Sequence, residues 1–220
     1  MDPETPFNPL DKKNLGISVA DALLDLPVHP LPPSQKFLGA GVYAIYYTGS
    51  FSPYSRIAAV NKKKQSKLPI YVGKAVPSGA RKGGFELGLS PGTKLYTRLS
   101  KHASSITEVE NLDIADFHCR YIIVDDIWIP LGEALLIERF SPIWNQLIDG
   151  FGNHTPGKGR YEQQRSLWDS IHPGRSGALK LQPNKRSNQD IILDIELFFQ
   201  SKDWLSSIAK LPSFEKFRKD

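Results

Sequence analysis

Two short segments, Gly41-Val42-Tyr43 and Tyr71-Val72-Gly73, constrain the fold of this chain more than any other feature of it. Each sits in a run of β-branched and aromatic residues bounded by Gly or Pro, Ala40 to Tyr47 and Leu68 to Lys74. Such runs read as strands, and two in succession predict neighbours in one sheet. Alternation puts Val42, Ala44 and Tyr46 on one face of the first strand and Tyr43, Ile45 and Tyr47 on the other, so that one face buries while the other presents Tyr43 to a site. Glycine inside a strand marks a bulge or a close approach by another backbone or a ligand.

The segment from Thr93 to Ile106 carries Leu95, Leu99, Ala103 and Ile106 at helical spacing, with Thr93 as its cap. Arg98 and His102 must share a face of that helix and reach a common target. A second helix is predicted from Leu131 to Phe140, offering Glu133 near its start and stopped by Ser141-Pro142, with Trp144-Asn145 after it. Taken in order over Gly41 to Asn145, the series GVY, YVGKA, Arg-x-x-x-His, Glu and Pro-x-Trp-Asn resembles the motifs of the GIY-YIG nuclease superfamily. Val42 and Val72 stand where the superfamily usually has Ile, and both keep a β-branched side chain.

The resemblance implies an α+β fold with a small central mixed or antiparallel sheet flanked by helices, in the order strand, strand, helix, strand, helix. It also implies hydrolysis of DNA phosphodiesters with Tyr43, Tyr71, Lys74, Arg98, His102, Glu133 and Asn145 as catalytic residues. Such hydrolysis needs a nucleophilic water, a base for its proton and compensation for charge on the phosphoryl oxygens. Glu133, the motif carboxylate, suits a hard cation held by one protein carboxylate, phosphate oxygens and water, so one Mg²⁺ per site is expected, with Mn²⁺ as a substitute and no small-molecule cofactor. Arg98 brings a permanently charged planar fork matched to phosphate. A free tyrosine titrates at about 10, so Tyr43 as a base needs neighbouring cations, and Lys74 is placed to be one. His102 is expected to hydrogen-bond Tyr43 or the water. Tyr43 is favoured as the base and Tyr71 as an orienting group or alternate base, while Asn145 is assigned to the phosphate or to the active-site backbone. Each residue also has a plain structural reading: a core tyrosine, a surface pair on a helix, an acid near a helix N-terminus, a turn asparagine.

Net charge is +5, and it is unevenly spread. Between Arg56 and His102 stand Arg56, Lys62, Lys63, Lys64, Lys67, Lys74, Arg81, Lys82, Lys94, Arg98 and Lys101 against a single acid, Glu86. Acids follow at Glu108, Glu110, Asp113 and Asp116. Segregation of this kind is the footprint of a polyanion partner. Double-stranded DNA is the expected partner, with Lys62, Lys63, Lys64, Arg81, Lys82, Lys101 and Arg160 as candidate contacts.

The length, 220 residues, suits one domain with appended arms. Residues 1–38 read as a Pro-rich N-terminal arm with a short helix from Val19 to Leu26, expected to lie extended over the domain or a partner. The catalytic core spans 39–150, with insertions at 48–67 and 77–92 that read as loops. Residues 151–220 read as a basic loop and a helical extension, with helices from Ile191 to Gln200 and from Trp204 to Leu211. No apolar run is long enough to cross a bilayer and the N-terminus does not resemble a signal sequence, so a soluble, cytoplasmic prokaryotic protein is expected. Cys119, the one cysteine, reads as core.

Within the superfamily, repair subunits bring coiled-coil and helicase-binding regions, and homing enzymes a separate DNA-binding module. Arms and basic insertions woven around one core look like the type II restriction branch, and most like the enzymes that cut CCGCGG. A palindromic site and one catalytic set per chain imply a homodimer on DNA. The alternatives are a non-catalytic DNA-binding protein on the same scaffold and a homing-type or junction endonuclease. The other common restriction fold needs an acid-x-Lys strand; the chain has no Glu-x-Lys, and its one Asp-x-Lys, at Asp11 to Lys13, is in the arm.

Overall fold

Strand β2 (Gly41–Tyr47) is the axis of a four-stranded antiparallel sheet. It pairs with β3 (Tyr71–Ala75) on one side and β4 (Phe117–Ile123) on the other, and β1 (His29–Pro30) lies outside β4, giving the order β1-β4-β2-β3. The structure is a computed structural model and describes residues 8, 10–63, 66–77, 92–153 and 162–209. All seven residues of β2 are buried. The expectation of one buried and one presenting face is therefore corrected, because helices cover both sides of this central strand. Helix α4 (Ile129–Phe140) approaches the Val42 side so closely that a Cβ on Gly132 would meet Val42 at 3.5 Å. Helix α3 (Lys94–Thr107) covers the Tyr43 side.

Helix α3 buries Leu95, Leu99, Ala103 and Ile106, the stripe expected from spacing, together with His102. Thr93 holds the N-cap position but makes no capping bond; its hydroxyl pairs with that of Thr97 at 3.3 Å. Helix α4 begins two residues before the expected start because Pro130 suits a first turn. It ends at Ser141, in left-handed conformation before Pro142, and α5 (Ile143–Gln146) follows at once.

The N-terminal segment lies over the domain, but as a packed helix longer than the one expected and not as the extended chain that prolines favour. Helix α1 (Lys12–Asp25) buries Ala20, Leu23 and Leu24 and packs on α4, where Arg139 meets Asp21 at 2.9 Å. Arg120 of β4 donates to the carbonyls of Leu26 and Ser66 and lies over the Tyr46 ring, tying this segment to the sheet. The first insertion is likewise not a bare loop: it contains α2 (Ser55–Lys63), with Ile57 and Ala58 buried. Helices α6 (Leu167–Ile171), α7 (Asn188–Phe198) and α8 (Lys202–Ala209) bring Trp168, Ile191, Ile195 and Trp204 into the same core cluster. Cys119 is buried, and that burial pushes its thiol up to about 12. No helix among the described residues is long and apolar enough to cross a membrane.

Candidate active site

Tyr43 and Gly73 are partners in the β2–β3 register, and that pairing sets the centre of the site. A Cβ on Gly73 would sit 2.4 Å from the Tyr43 phenol oxygen, so only glycine leaves the phenol room. Period-two alternation puts Tyr71 on the same face as Tyr43 and Gly73, toward α3, and Lys74 on the face toward α4. The two motif triplets thus build one wall. The helical spacing of Arg98 and His102 lays both over it.

The Tyr43 oxygen and His102 Nε2 are 2.6 Å apart. Both side chains are buried, Tyr43 completely. Burial raises the Tyr43 pKa well above the ordinary phenol value, the Tyr71 phenol adds to the rise, and Arg98 pulls it part of the way back. Tyr71 is more accessible and is raised for the same first reason, again opposed by Arg98. Burial works against the charge of Arg98, but the two phenol oxygens outweigh it and its pKa rises. The site therefore holds neutral phenols beside a fixed cation.

Lys74 does not serve as the tyrosine's cation. Its Nζ sits 2.6 Å from Glu133 Oε2, and the positive charge acting on Tyr43 is that of Arg98. The expected role of Lys74 is corrected accordingly: its side chain leaves the sheet on the side of α4, where Glu133 is. Asn145 had two open roles, and its amide is committed to the backbone. It donates to the Val72 carbonyl and accepts from the Val72 amide, both at 2.8 Å, closing the outer edge of β3.

Glu133 is part-exposed, and its charge reaches both phenols. Among the described residues no group of three or more His, Cys, Asp or Glu is placed to hold a metal. One carboxylate with a competing ammonium fits a hard cation that keeps most of its water, and does not fit an all-protein cage.

Of the candidate DNA contacts, Lys62 and Lys63 are exposed in the last turn of α2, where a helix C-terminus favours cations anyway. Lys101 is exposed on α3 and lines, with Arg98, His102 and Phe151, a cavity of about 390 Å³. A polar cavity of about 930 Å³ adjoins it, sharing Ser105, Glu108, Gly152 and Asn153 as a common rim. Lys64, Arg81, Lys82 and Arg160 lie outside the described residues, as does most of the second insertion.

Phe151 and Gly152, at the start of the segment that reads from sequence as a basic loop, are not among the candidate site residues. Phe151 stacks on His102 with ring centroids 4.5 Å apart, and the Gly152 carbonyl accepts from Arg98 at 3.0 Å. An aromatic flanked by glycines just after Asn145 was the available signal.

A four-stranded antiparallel sheet with this tyrosine pair, arginine, histidine and glutamate defines a GIY-YIG nuclease domain. A family model for the Eco29kI GIY-YIG domain matches residues 35–199, and the chain belongs to that family of the restriction branch. No curated protein matches it.

Proposed function

We propose that this protein is a type II restriction endonuclease that hydrolyses double-stranded DNA at a palindrome, with CCGCGG as the first target to test. The observation that carries the reading is the Tyr43–His102 hydrogen bond held beside Arg98 in a chain of this family. Because burial disfavours a standing phenolate, Tyr43 acts as a relay: it takes the proton of the attacking water while its own proton passes to His102 Nε2. That requires the His102 tautomer with Nε2 unprotonated. The hydroxide so formed attacks phosphorus, the P–O3′ bond breaks, and the departing 3′ alkoxide takes a proton from water. Arg98 faces the charge that builds on the phosphoryl oxygens. Glu133 would hold Mg²⁺, which when bound supplies further compensation for that charge. Lys101, Lys62 and Lys63 contribute phosphate affinity.

One observation favours a second assignment of the base. Tyr43 has no exposed surface whereas Tyr71 does, which makes Tyr71 the phenol open to water. Tyr71→Phe against Tyr43→Phe separates the two.

One catalytic set per chain and two antiparallel strands to cut call for a homodimer whose two-fold coincides with that of the site. Plasmid carrying CCGCGG, incubated with protein and Mg²⁺, should give discrete fragments whose ends map to that sequence. Tight binding with no cutting in any divalent ion would leave only the non-catalytic reading. Light scattering of the Glu133→Ala protein on a short duplex should report two chains per duplex.

A further inference from the structure

We infer that the turn from Gly150 to Gly152, pinned by the part-buried Arg175–Asp169 pair, is the positioning device for Arg98, His102 and Tyr71. The inference rests on the nuclease reading and adds residues of the C-terminal extension to the active site. Phe151 is 1% exposed, and its ring lies nearly parallel to that of His102, at 17°, and edge-on to Tyr71, with centroids 5.0 Å apart. Stacking fixes the plane of the imidazole and so aims Nε2 at Tyr43. The Gly152 carbonyl takes one amino group of Arg98. A carbonyl there orients the guanidinium and leaves its full charge for the phosphate, whereas a carboxylate would cancel it. A Cβ on Gly152 would stand 2.9 Å from the Tyr71 oxygen and 3.1 Å from the Arg98 amino nitrogen. A methyl there would push the Tyr71 hydroxyl and the Arg98 amino group away from the positions that the glycine leaves them.

The turn is itself held from behind. Arg175 donates to the carbonyls of Phe151 at 3.3 Å and Gly150 at 3.1 Å, and to Asp169 Oδ2 at 2.7 Å, with its guanidinium over the Trp168 ring. Ser166 donates to the same carboxylate oxygen at 2.7 Å, while Gly150, at φ +104, leaves space that a Cβ would fill 1.9 Å from the Ser166 hydroxyl oxygen. Buried ion pairs are weak sources of stability because desolvation offsets their attraction. This one spends its donors on two backbone carbonyls, and what it fixes is the path of the turn. The expected consequence is that loosening the turn harms the chemical step and spares DNA affinity, since Arg98 is the one residue assigned to phosphate that the turn is seen to hold.

The test uses the full chain with Phe151→Leu, Gly152→Ala and Arg175→Met. Single-turnover cleavage at saturating duplex, duplex Kd without divalent metal, and ¹⁵N spectra of the His102 ring are compared with wild type. Single-turnover rates should fall about a hundredfold, the scale of an ångström of misplacement, with Kd unchanged. In Phe151→Leu the His102 signal should lose the signature of its hydrogen bond to Tyr43. Wild-type rates in Phe151→Leu and Gly152→Ala, or rate losses matched by losses of affinity, overturn the inference. Should Arg175→Met not fold, Phe151→Leu decides, because it leaves the ion pair intact. Should wild type cut no DNA, the nuclease reading fails by itself, and an unchanged His102 signature in Phe151→Leu then overturns the positioning role separately.

Discussion

The phenol of Tyr43 and the imidazole of His102 are joined at 2.6 Å on opposite sides of a sheet–helix interface, fifty-nine residues apart in the chain. In the proposed relay the bond gives the phenol's proton a destination at a pH where the phenol would not ionise. Tyr43→Phe should lower the single-turnover rate by about 10²–10⁴, the usual worth of a general base, and His102→Ala should do the same. The double variant should be little worse than either, since the two act as one unit. Additive losses in single-turnover kinetics would show instead that they act separately.

Asn145→Ala should unpair the Val72 amide and carbonyl at once. An unsatisfied buried group costs about 1–3 kcal/mol, and Asn145 is part-exposed, so a loss near the lower figure is expected. At about 2–4 °C per kcal/mol for a chain of this size, calorimetry should show a fall of a few degrees. Cleavage should fall further than stability, because β3 carries both Tyr71 and Lys74. Asn145→Asp keeps one of the two bonds and should lie between.

A buried polar chain outside the site predicts acid sensitivity. His172 Nε2 meets the Tyr54 hydroxyl and Nδ1 meets the Asn111 side-chain oxygen, both at 2.9 Å, while Trp144 donates to the same hydroxyl. Burial pushes the His172 pKa from 6.5 down to about 3. The unfolded chain binds the proton first, so the contribution to stability is complete above 6.5 and is lost as pH falls toward 3. The unfolding free energy measured in urea should drop over that window, by at most about 1.4 kcal/mol per pH unit from this group. In His172→Gln the drop should flatten. A wild-type profile that stays flat there would contradict the neutral, buried assignment.

The catalytic strands, α3 and α4 were legible because each is local: a β-branched run, a stripe of Leu95, Leu99, Ala103 and Ile106, a proline stop after Phe140. Arg98 and His102 were legible as partners since helix geometry alone puts them on one face. What spacing does not carry is which distant residue meets a side chain. Lys74 follows its tyrosine in sequence, yet its position on the strand sends it to the other side of the sheet and to Glu133. β1 was hidden by its own proline, because it joins β4 through backbone pairing at a sheet edge, where proline is tolerated. Gly152 matters through a contact with Arg98 that only the folded chain makes.

The last prediction concerns the Lys74–Glu133 pair. A metal held by Glu133, as proposed, would compete with the Lys74 ammonium for one carboxylate, since Nζ sits 2.6 Å from Oε2. Both side chains are partly exposed, so the pair is worth only about 0.2–1 kcal/mol, equivalent to a roughly 1.4- to fivefold effect on a competing ligand. Lys74→Met should therefore tighten Mn²⁺ binding by no more than that, read directly by electron paramagnetic resonance of free Mn²⁺. Glu133→Ala should abolish the same binding and cleavage together, with duplex affinity kept, because Glu133 adds no positive charge to the DNA-facing surface. The two variants separate roles that cleavage alone would confuse: Lys74→Met that binds Mn²⁺ better yet cuts more slowly would place the ammonium in the reaction as well as in the resting pair. Mn²⁺ affinity unchanged by Glu133→Ala would move the metal away from this carboxylate altogether.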